Sequence, residues 1–146
     1  MKEIALIGEN CQVYATVLGK LLERGNSVNA MVDYPERLMI ENSQLTVSRV
    51  DFYHEEAMQK SMTGYDTVIL AYDDNLTDHE HNNETLNHFS AAVTAARQAG
   101  VKKLIVVGGM QSEAFFVTLL NRIDDIDWKF ISTEGDFATK TADEVK

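Results

Sequence analysis

Short apolar runs that alternate with helical stripes are the feature that most constrains the fold of this chain. The runs at 3–7, 28–32, 67–71 and 104–107 are apolar, rich in β-branched residues and bounded by turn residues, as buried strands are. Weaker runs of the same kind lie at 45–50 and 128–131. Their apolar character is continuous rather than alternating, which predicts parallel strands covered on both faces.

Helical stripes fill the intervals between these runs. Leu86, Phe89, Val93 and Ala96 recur at helical spacing, and this stripe ends at Gly100. Two further stripes are Val13, Val17, Leu18, Leu21 and Leu22, and Phe115, Phe116, Leu119, Leu120 and Ile123. Alternating strands and helices predict an α/β fold with right-handed crossovers. The expected architecture is a Rossmann-like, doubly wound parallel sheet in three α/β/α layers, with strand order 3-2-1-4-5-6. Any ligand is expected above the C-terminal ends of the first and fourth strands.

The length of 146 residues fits one domain with a core of its own. We expect that domain to span 1–133 and the polar residues 134–146 to form a loose C-terminal tail. The single Cys11 excludes an internal disulfide and is typical of a reducing compartment.

The charge and the hydropathy pattern exclude several kinds of partner. Twenty-three acidic and 13 basic residues give a net charge of -10, which disfavours nucleic acid and anionic membrane surfaces. No apolar run reaches the length of a signal peptide or a membrane span. The expected location is therefore the cytoplasm.

The stretch GENCQVYATVLGKLLERGNSV, residues 8–28, joins the first strand to an amphipathic helix through a glycine. Dinucleotide-binding domains begin in this way, and each glycine of their first turn has a task. One makes the tight turn, one lets the pyrophosphate reach backbone N–H groups, and one lets the helix pack closely on the strand.

In this register the chain resembles the NmrA-like, NAD(P)H-binding group of atypical short-chain dehydrogenases. The first turn of that family reads Gly-Ala-Thr-Gly-x-x-Gly and aligns without a gap on residues 8–14. The register continues through the stretches LLERGNSVNAMV, VSRVDF, GYDTVILAY, ARQAGVKKLIVVGG and IDWKFIS. The resemblance implies a Rossmann fold, an NAD or NADP cofactor, and kinship with oxidoreductases and nucleotide-sugar epimerases.

The chain departs from this family in its first turn and in its length. Cys11 and Tyr14 replace the second and third glycines, and Glu9 adds a carboxylate beside the phosphate site. The stretch FISTEGD stands where the family tends to have Arg-Pro-Gly. We therefore expect most of the family's substrate lobe to be missing.

Asp33 is the residue whose position most directly suggests a cofactor contact. It ends the second strand, 25 residues after Gly8, where an acid binds the adenosine ribose hydroxyls and rejects a 2'-phosphate, which favours NAD over NADP. The alternative is a solvated loop acid before Pro35. The residues expected to line a cofactor groove are Gly8, Asn10, Gln12, Val13, Asp33, Asp51, Phe52, Ala71 and Tyr72.

Two residues of the first turn have a structural and a functional interpretation. Tyr14 precedes Leu18 and Leu21 at helical spacing, so it either fills the core or forms an aromatic platform for a cofactor ring. Cys11 is either a small turn residue or a redox-sensing thiol near a helix N-terminus. The sequence places no basic residue and no second cysteine beside it, which favours the first interpretation.

No metal site or catalytic residue is predicted. His81, Glu84 and His88 share one edge of a helix, but the pattern is not His-Glu-x-x-His, and a solvated polar stretch is expected instead. Ser112 follows a Gly-Gly pair and is expected to cap a helix rather than act as a nucleophile. The chain contains no Tyr-x-x-x-Lys pair, which a conventional short-chain dehydrogenase requires.

These observations predict an NAD(P)-binding-type protein with weak or lost cofactor binding and no conventional dehydrogenase chemistry. One alternative is a small NAD(H)-dependent oxidoreductase that acts on a quinone- or flavin-like acceptor. The other is a non-catalytic module that binds a protein partner or a second copy of itself.

Overall fold

The computed structural model describes residues 3–9, 11–51, 54–72, 79–109 and 113–145, and within 79–86 it describes the backbone alone. Strands in this part of the chain form one six-stranded parallel sheet, and the predicted order 3-2-1-4-5-6 is confirmed. The strands are β1 Glu3–Gly8, β2 Ser27–Val32, β3 Leu45–Arg49, β4 Thr67–Ala71, β5 Lys103–Gly108 and β6 Asp127–Ser132. The helices are α1 Gln12–Glu23, α2 Glu55–Met62, α3 His79–Ala99, α4 Glu113–Leu120 and α5 Phe137–Glu144, with a short 3-10 turn at Pro35–Arg37.

The strand β1 lies in the middle of the sheet, between β2 and β4. Ile7 pairs with Met31 on one side and with Leu70 on the other, and Gly8 pairs with Ala71. The chain leaves β1 toward β2 and later returns to β4, so the order of the sheet reverses here. In sheets of this kind ligands bind at that reversal, outside the carboxyl ends of the strands.

The sheet has a hydrophobic core on each face, which confirms the three-layer architecture. One core lies beneath α1 and α5, and it includes Leu6 and Ile69. The other lies beneath α2, α3 and α4, and it includes Ala5 and Val68. Successive strand residues face opposite cores, so both faces of the central strands are apolar, as the continuous apolar runs predicted.

The C-terminal end of the chain differs from the loose tail expected from its polarity. Helix α5 begins at Asp136, whose carboxylate accepts the backbone N–H of Thr139 at 3.2 Å and its hydroxyl at 2.7 Å. Ala138, Thr141, Ala142 and Val145 are buried along one side of this helix. Small side chains at spacings of three and four residues form the contact face of this helix. The polar residues between them are the reason that the sequence predicted a loose tail.

Candidate functional site

The end of β1 and the end of β4 approach each other closely at the reversal of the sheet. A Cβ atom added to Gly8 would lie 2.4 Å from the backbone oxygen of Ala71, which is far inside van der Waals contact. Glycine is therefore required at position 8 by the approach of the two strands. Ala71, the next predicted groove residue, is buried with its side chain in the core beneath α1.

Helix α1 directs its N-terminus toward this point. Cys11 is the N-cap residue, with extended backbone angles and no side-chain capping bond, and it is half-buried. Its backbone oxygen accepts the first hydrogen bond of the helix, from the N–H of Ala15 at 3.0 Å. The N–H groups of Gln12, Val13 and Tyr14 precede that bond and form the positive end of the helix. Gln12 is exposed, whereas the Val13 side chain is in the core, so Val13 can reach a ligand only through its backbone.

The structure places Tyr14 in the core. Its side chain is fully buried, and its hydroxyl donates a hydrogen bond to the backbone oxygen of Leu6 at 2.7 Å. Leu6 precedes Gly8 by two residues, so the ring points back along β1 and away from the open end of the strand. Burial raises the pKa of Tyr14 well above its usual range, and a backbone hydrogen bond from Met31 opposes part of that shift. Tyr14 is therefore a neutral core side chain rather than a platform for a cofactor ring.

Tyr72 follows β4 and forms an aromatic cluster beside the groove. Its backbone N–H donates to the oxygen of Val107 at 2.9 Å, which ties it to β5. Its ring is 5.7 Å from Phe89 and 5.1 Å from Phe116, measured between ring centroids. Phe116 also packs over Gly108, where an added Cβ would lie 2.7 Å from the phenylalanine ring.

Glu9 brings a negative charge to the same crevice. It is exposed and directly follows Gly8 at the end of β1. Burial raises the pKa of Tyr72 well above its usual range, and the negative charge of Glu9 raises it further. Gly8 pairs with Ala71, so Glu9 and Tyr72 each follow one of two neighbouring strand ends.

The ends of β2 and β3 carry two more acids at the same edge of the sheet. Asp33 is half-buried, and its carboxylate accepts the backbone N–H of Tyr34 at 3.0 Å. Asp51 is exposed after β3, and its backbone oxygen accepts the N–H of His54. Parallel strands end at one edge, so both acids lie on the side where Gly8 and Glu9 lie.

A cation–π pair beside Asp33 was not found by the sequence reasoning. The guanidinium carbon of Arg37 lies 4.5 Å from the centroid of the Tyr34 ring, and that ring is 45% exposed. Tyr34 and Arg37 are three residues apart at a 3-10 turn that begins at Pro35. This spacing is the sequence pattern that could have indicated the contact between them.

Several sequence predictions concern residues that the structure does not describe. Asn10 and Phe52 of the predicted groove lie outside the described residues, as does Ser112. The side chains of His81 and Glu84 are also outside it. Among the described residues, no group of three or more His, Cys, Asp or Glu side chains could hold a metal ion.

The arrangement combines groups that attract a nucleotide with one that repels it. The N–H groups at the start of α1 and the glycine at position 8 suit a phosphate, which binds readily at a helix N-terminus. The carboxylate of Asp33 suits ribose hydroxyls, which donate hydrogen bonds. Glu9 instead carries a negative charge directly after Gly8, which does not suit a phosphate.

The fold and this edge of the sheet define a Rossmann-type nucleotide-binding domain. The NAD(P)H-binding family model matches residues 11–129, and the chain belongs to that family. The family resemblance found in the sequence is confirmed at this level, while the narrower NmrA-like assignment stays a prediction. Comparison with curated protein sequences gives no significant match.

Solved structures with this fold include epimerases and reductases. A candidate epimerase from Bacteroides thetaiotaomicron is 27% identical with a TM-score of 0.76, and the match covers 90% of this chain and 70% of that one. The NADPH-dependent quinone oxidoreductase QOR2 of Escherichia coli, solved with NADPH, is 18% identical with a TM-score of 0.72 over 88% of this chain and 48% of that one. Triphenylmethane reductase from Citrobacter, solved with NADP(H), is 22% identical with a TM-score of 0.70 over 89% of this chain and 48% of that one. The chain thus spans about half the length of these two reductases.

No helix in the described ranges is long and apolar enough to cross a membrane.

Proposed function

We propose that this protein binds a nicotinamide dinucleotide weakly at the edge formed by β1, β2 and β4, and that it has no conventional dehydrogenase chemistry. Membership of the NAD(P)H-binding family supports the ligand class. The observation that supports weak affinity is Glu9, an exposed acid that directly follows Gly8 at the end of β1.

The proposed pose follows the order of the strands along the edge. The pyrophosphate lies over Gly8, with the N–H groups of Gln12 and Val13 directed at it. Asp33 binds the adenosine ribose, and Asp51 lies beside the adenine. The backbone of Ala71 and the half-buried ring of Tyr72 then lie at the nicotinamide end.

Glu9 weakens binding because it opposes the charge of the pyrophosphate. Two like unit charges about 5 Å apart repel by roughly 3 kcal/mol at an effective dielectric of about 20. Solvent screens an exposed side chain such as Glu9 and leaves only part of that repulsion. The remaining repulsion corresponds to roughly a tenfold loss of affinity.

Calorimetric titration with NADH tests this proposal. We expect Glu9→Gln to tighten NADH binding about tenfold, because glutamine keeps the shape and removes the charge. Glu23→Gln is the matched control, since it makes the same change at the opposite end of α1 and should leave the affinity as it is. Adenosine, which lacks phosphates, should bind equally to all three proteins. Equal NADH affinity of the wild type and Glu9→Gln would overturn the role of Glu9.

The choice between NAD and NADP is proposed to depend on Asp33. A carboxylate that binds the ribose hydroxyls repels a 2'-phosphate, so NADH should bind more tightly than NADPH. We expect Asp33→Asn to lose most of this preference, because it removes the repulsion between the carboxylate and the 2'-phosphate. The ratio of the two dissociation constants measures the effect, and an unchanged ratio would contradict this role of Asp33.

Weak binding need not exclude redox chemistry, and one observation favours a second candidate function. The half-buried ring of Tyr72, which packs on the core residues Phe89 and Phe116, suits a flat acceptor, and a quinone oxidoreductase shares the fold. This candidate is an NADH-dependent reductase of a quinone-like acceptor. Saturable oxidation of NADH by menadione, lost in Tyr72→Ala, would support it, whereas no turnover above background would leave the binding module as the function.

A further inference from the structure

A groove between α3 and α4 shares Phe89 with the aromatic cluster around Tyr72 and is otherwise lined by different residues from the nucleotide-binding edge. Its volume is about 530 Å³, within the range of small-molecule sites. Its lining residues come from α3, from α4 and from the turn that follows α4: Phe89, Ser90, Ala114, Phe115, Thr118, Leu119 and Arg122.

Helix α4 has two apolar faces: one lies in the core, and on the other Leu119 packs partly against the core while Phe115 is exposed. Phe116 and Leu120 are fully buried against the sheet. Phe115 and Leu119 also lie four residues apart, but they line the groove, and the Phe115 side chain is 58% exposed. Phe89, which is 1% exposed, contributes the groove's most deeply buried side chain. An apolar surface of this kind gains free energy when a ligand removes it from water.

The groove carries a cation at one end. Arg122 is exposed, and among the described residues no carboxylate lies within ion-pair distance of it. Arg97 of α3, by contrast, pairs with both carboxylate oxygens of Asp125 at 3.1 Å. In a protein with a net charge of -10, an arginine without such a pair beside an apolar groove is available to an external anion.

The polar groups along the groove set a direction. Phe115 lies near the start of α4 and Arg122 follows its end, so about 10 Å separates their backbone positions along the helix axis. Thr118 lies one helical turn before Arg122, and its hydroxyl donates to the Ala114 oxygen at 2.6 Å while its lone pairs stay available. A bound anion therefore places its charged group at the Arg122 end and its apolar part toward Phe115.

We propose that the groove between α3 and α4 binds an amphipathic organic anion, with its carboxylate or sulfonate on Arg122 and its apolar body against Phe89, Phe115 and Leu119. The arginine fork matches a carboxylate or sulfonate, and the remaining lining matches an aromatic or alkyl group. This site does not depend on the proposed dinucleotide binding.

A pair of fluorescent probes that differ by one charged group tests the site. They are 1-anilinonaphthalene-8-sulfonate and its uncharged analogue N-phenyl-1-naphthylamine. We expect saturable one-to-one binding of the sulfonate by the wild type, and Arg122→Gln should weaken it about tenfold. The uncharged analogue should bind more weakly to the wild type and equally to both proteins.

Two control variants locate the probe. Arg49→Gln removes an exposed cation at the end of β3, beside the nucleotide-binding edge, and should leave sulfonate binding as it is. Phe115→Ser should weaken both probes, because it removes apolar surface from the groove itself. Sulfonate binding that is insensitive to Arg122→Gln, or that Arg49→Gln weakens equally, would overturn the proposal.

A second copy of the chain is the competing occupant of this groove. Sedimentation velocity of the wild type and of Phe115→Asp distinguishes the two. A monomer in both cases, together with sulfonate binding by the wild type, supports a small-molecule site. A wild-type dimer that Phe115→Asp converts to a monomer would overturn it.

Discussion

At the scale of single residues, Tyr14 is buried in the core, whereas Glu9 is exposed at the end of β1. Tyr14 stands where the family has its third glycine, yet its ring lies in the core and its hydroxyl reaches the Leu6 oxygen. A small residue at that position allows close packing of helix on strand, and here a buried aromatic ring fills the space instead. Glu9, which is exposed beside Gly8, is the residue proposed to oppose a phosphate.

Substitutions at Tyr14 should therefore change stability rather than binding. Tyr14→Phe removes one buried hydrogen bond and should lower the free energy of unfolding by about 1 kcal/mol. Tyr14→Ala leaves a cavity and should lower it by about 3–5 kcal/mol. Denaturant unfolding measures both. A fully stable Tyr14→Ala protein that binds NADH more tightly than the wild type would show that Tyr14 occupies the ligand's place.

At the scale of elements, the fold requires a glycine at position 8 of β1 but not at position 19 of α1. Gly8 lies where the backbone of β4 leaves no room for a side chain, since its added Cβ would meet the Ala71 oxygen at 2.4 Å. Gly19 lies on the exposed side of α1, and an added Cβ there would meet nothing within 4 Å. The approach of β1 to β4 thus fixes the first glycine, whereas nothing in the fold requires the second.

The same substitution at these two positions should change stability in opposite directions. Gly8→Ala should lower the free energy of unfolding by about 1–3 kcal/mol, because β1 and β4 must separate to admit the methyl group. Gly19→Ala should raise it by about 0.5–1 kcal/mol, because alanine favours the helix. Thermal unfolding of the two variants side by side measures the contrast, and a Gly8→Ala protein as stable as the wild type would contradict the required close approach.

At the scale of the whole molecule, the sheet could be predicted from the sequence because its four inner strands are short apolar runs bounded by turn residues, and weaker runs mark the two edge strands β3 and β6. Helix α2 was missed, since its buried face consists of Met58 and Met62 within an otherwise polar segment. Helix α5 was missed because its contact face is built from small residues such as Ala138 and Ala142. Neither segment carries an apolar stripe long enough to indicate a helix.

The candidate site was less predictable than the fold. The positions of Gly8, Asp33 and Asp51 at one edge follow from parallel strands, so their proximity could be anticipated. The inward direction of Tyr14 and the approach of Glu9 to Tyr72 depend on side-chain packing, which one sequence does not fix. The two faces of α4 were likewise read as one stripe, because Phe115 and Phe116 are adjacent in the chain.

The central claim is that a weak dinucleotide site lies at the ends of β1, β2 and β4. Backbone amide correlation spectra of the isotopically labelled protein, recorded during titration with NADH, test it most directly, because they detect weak binding and locate it. We predict saturable shifts at the amides of Gln12, Val13, Tyr14 and Asp33, with Phe115 and Leu119 unchanged. Absence of saturable shifts at the start of α1, or shifts confined to the groove between α3 and α4, would contradict the claim.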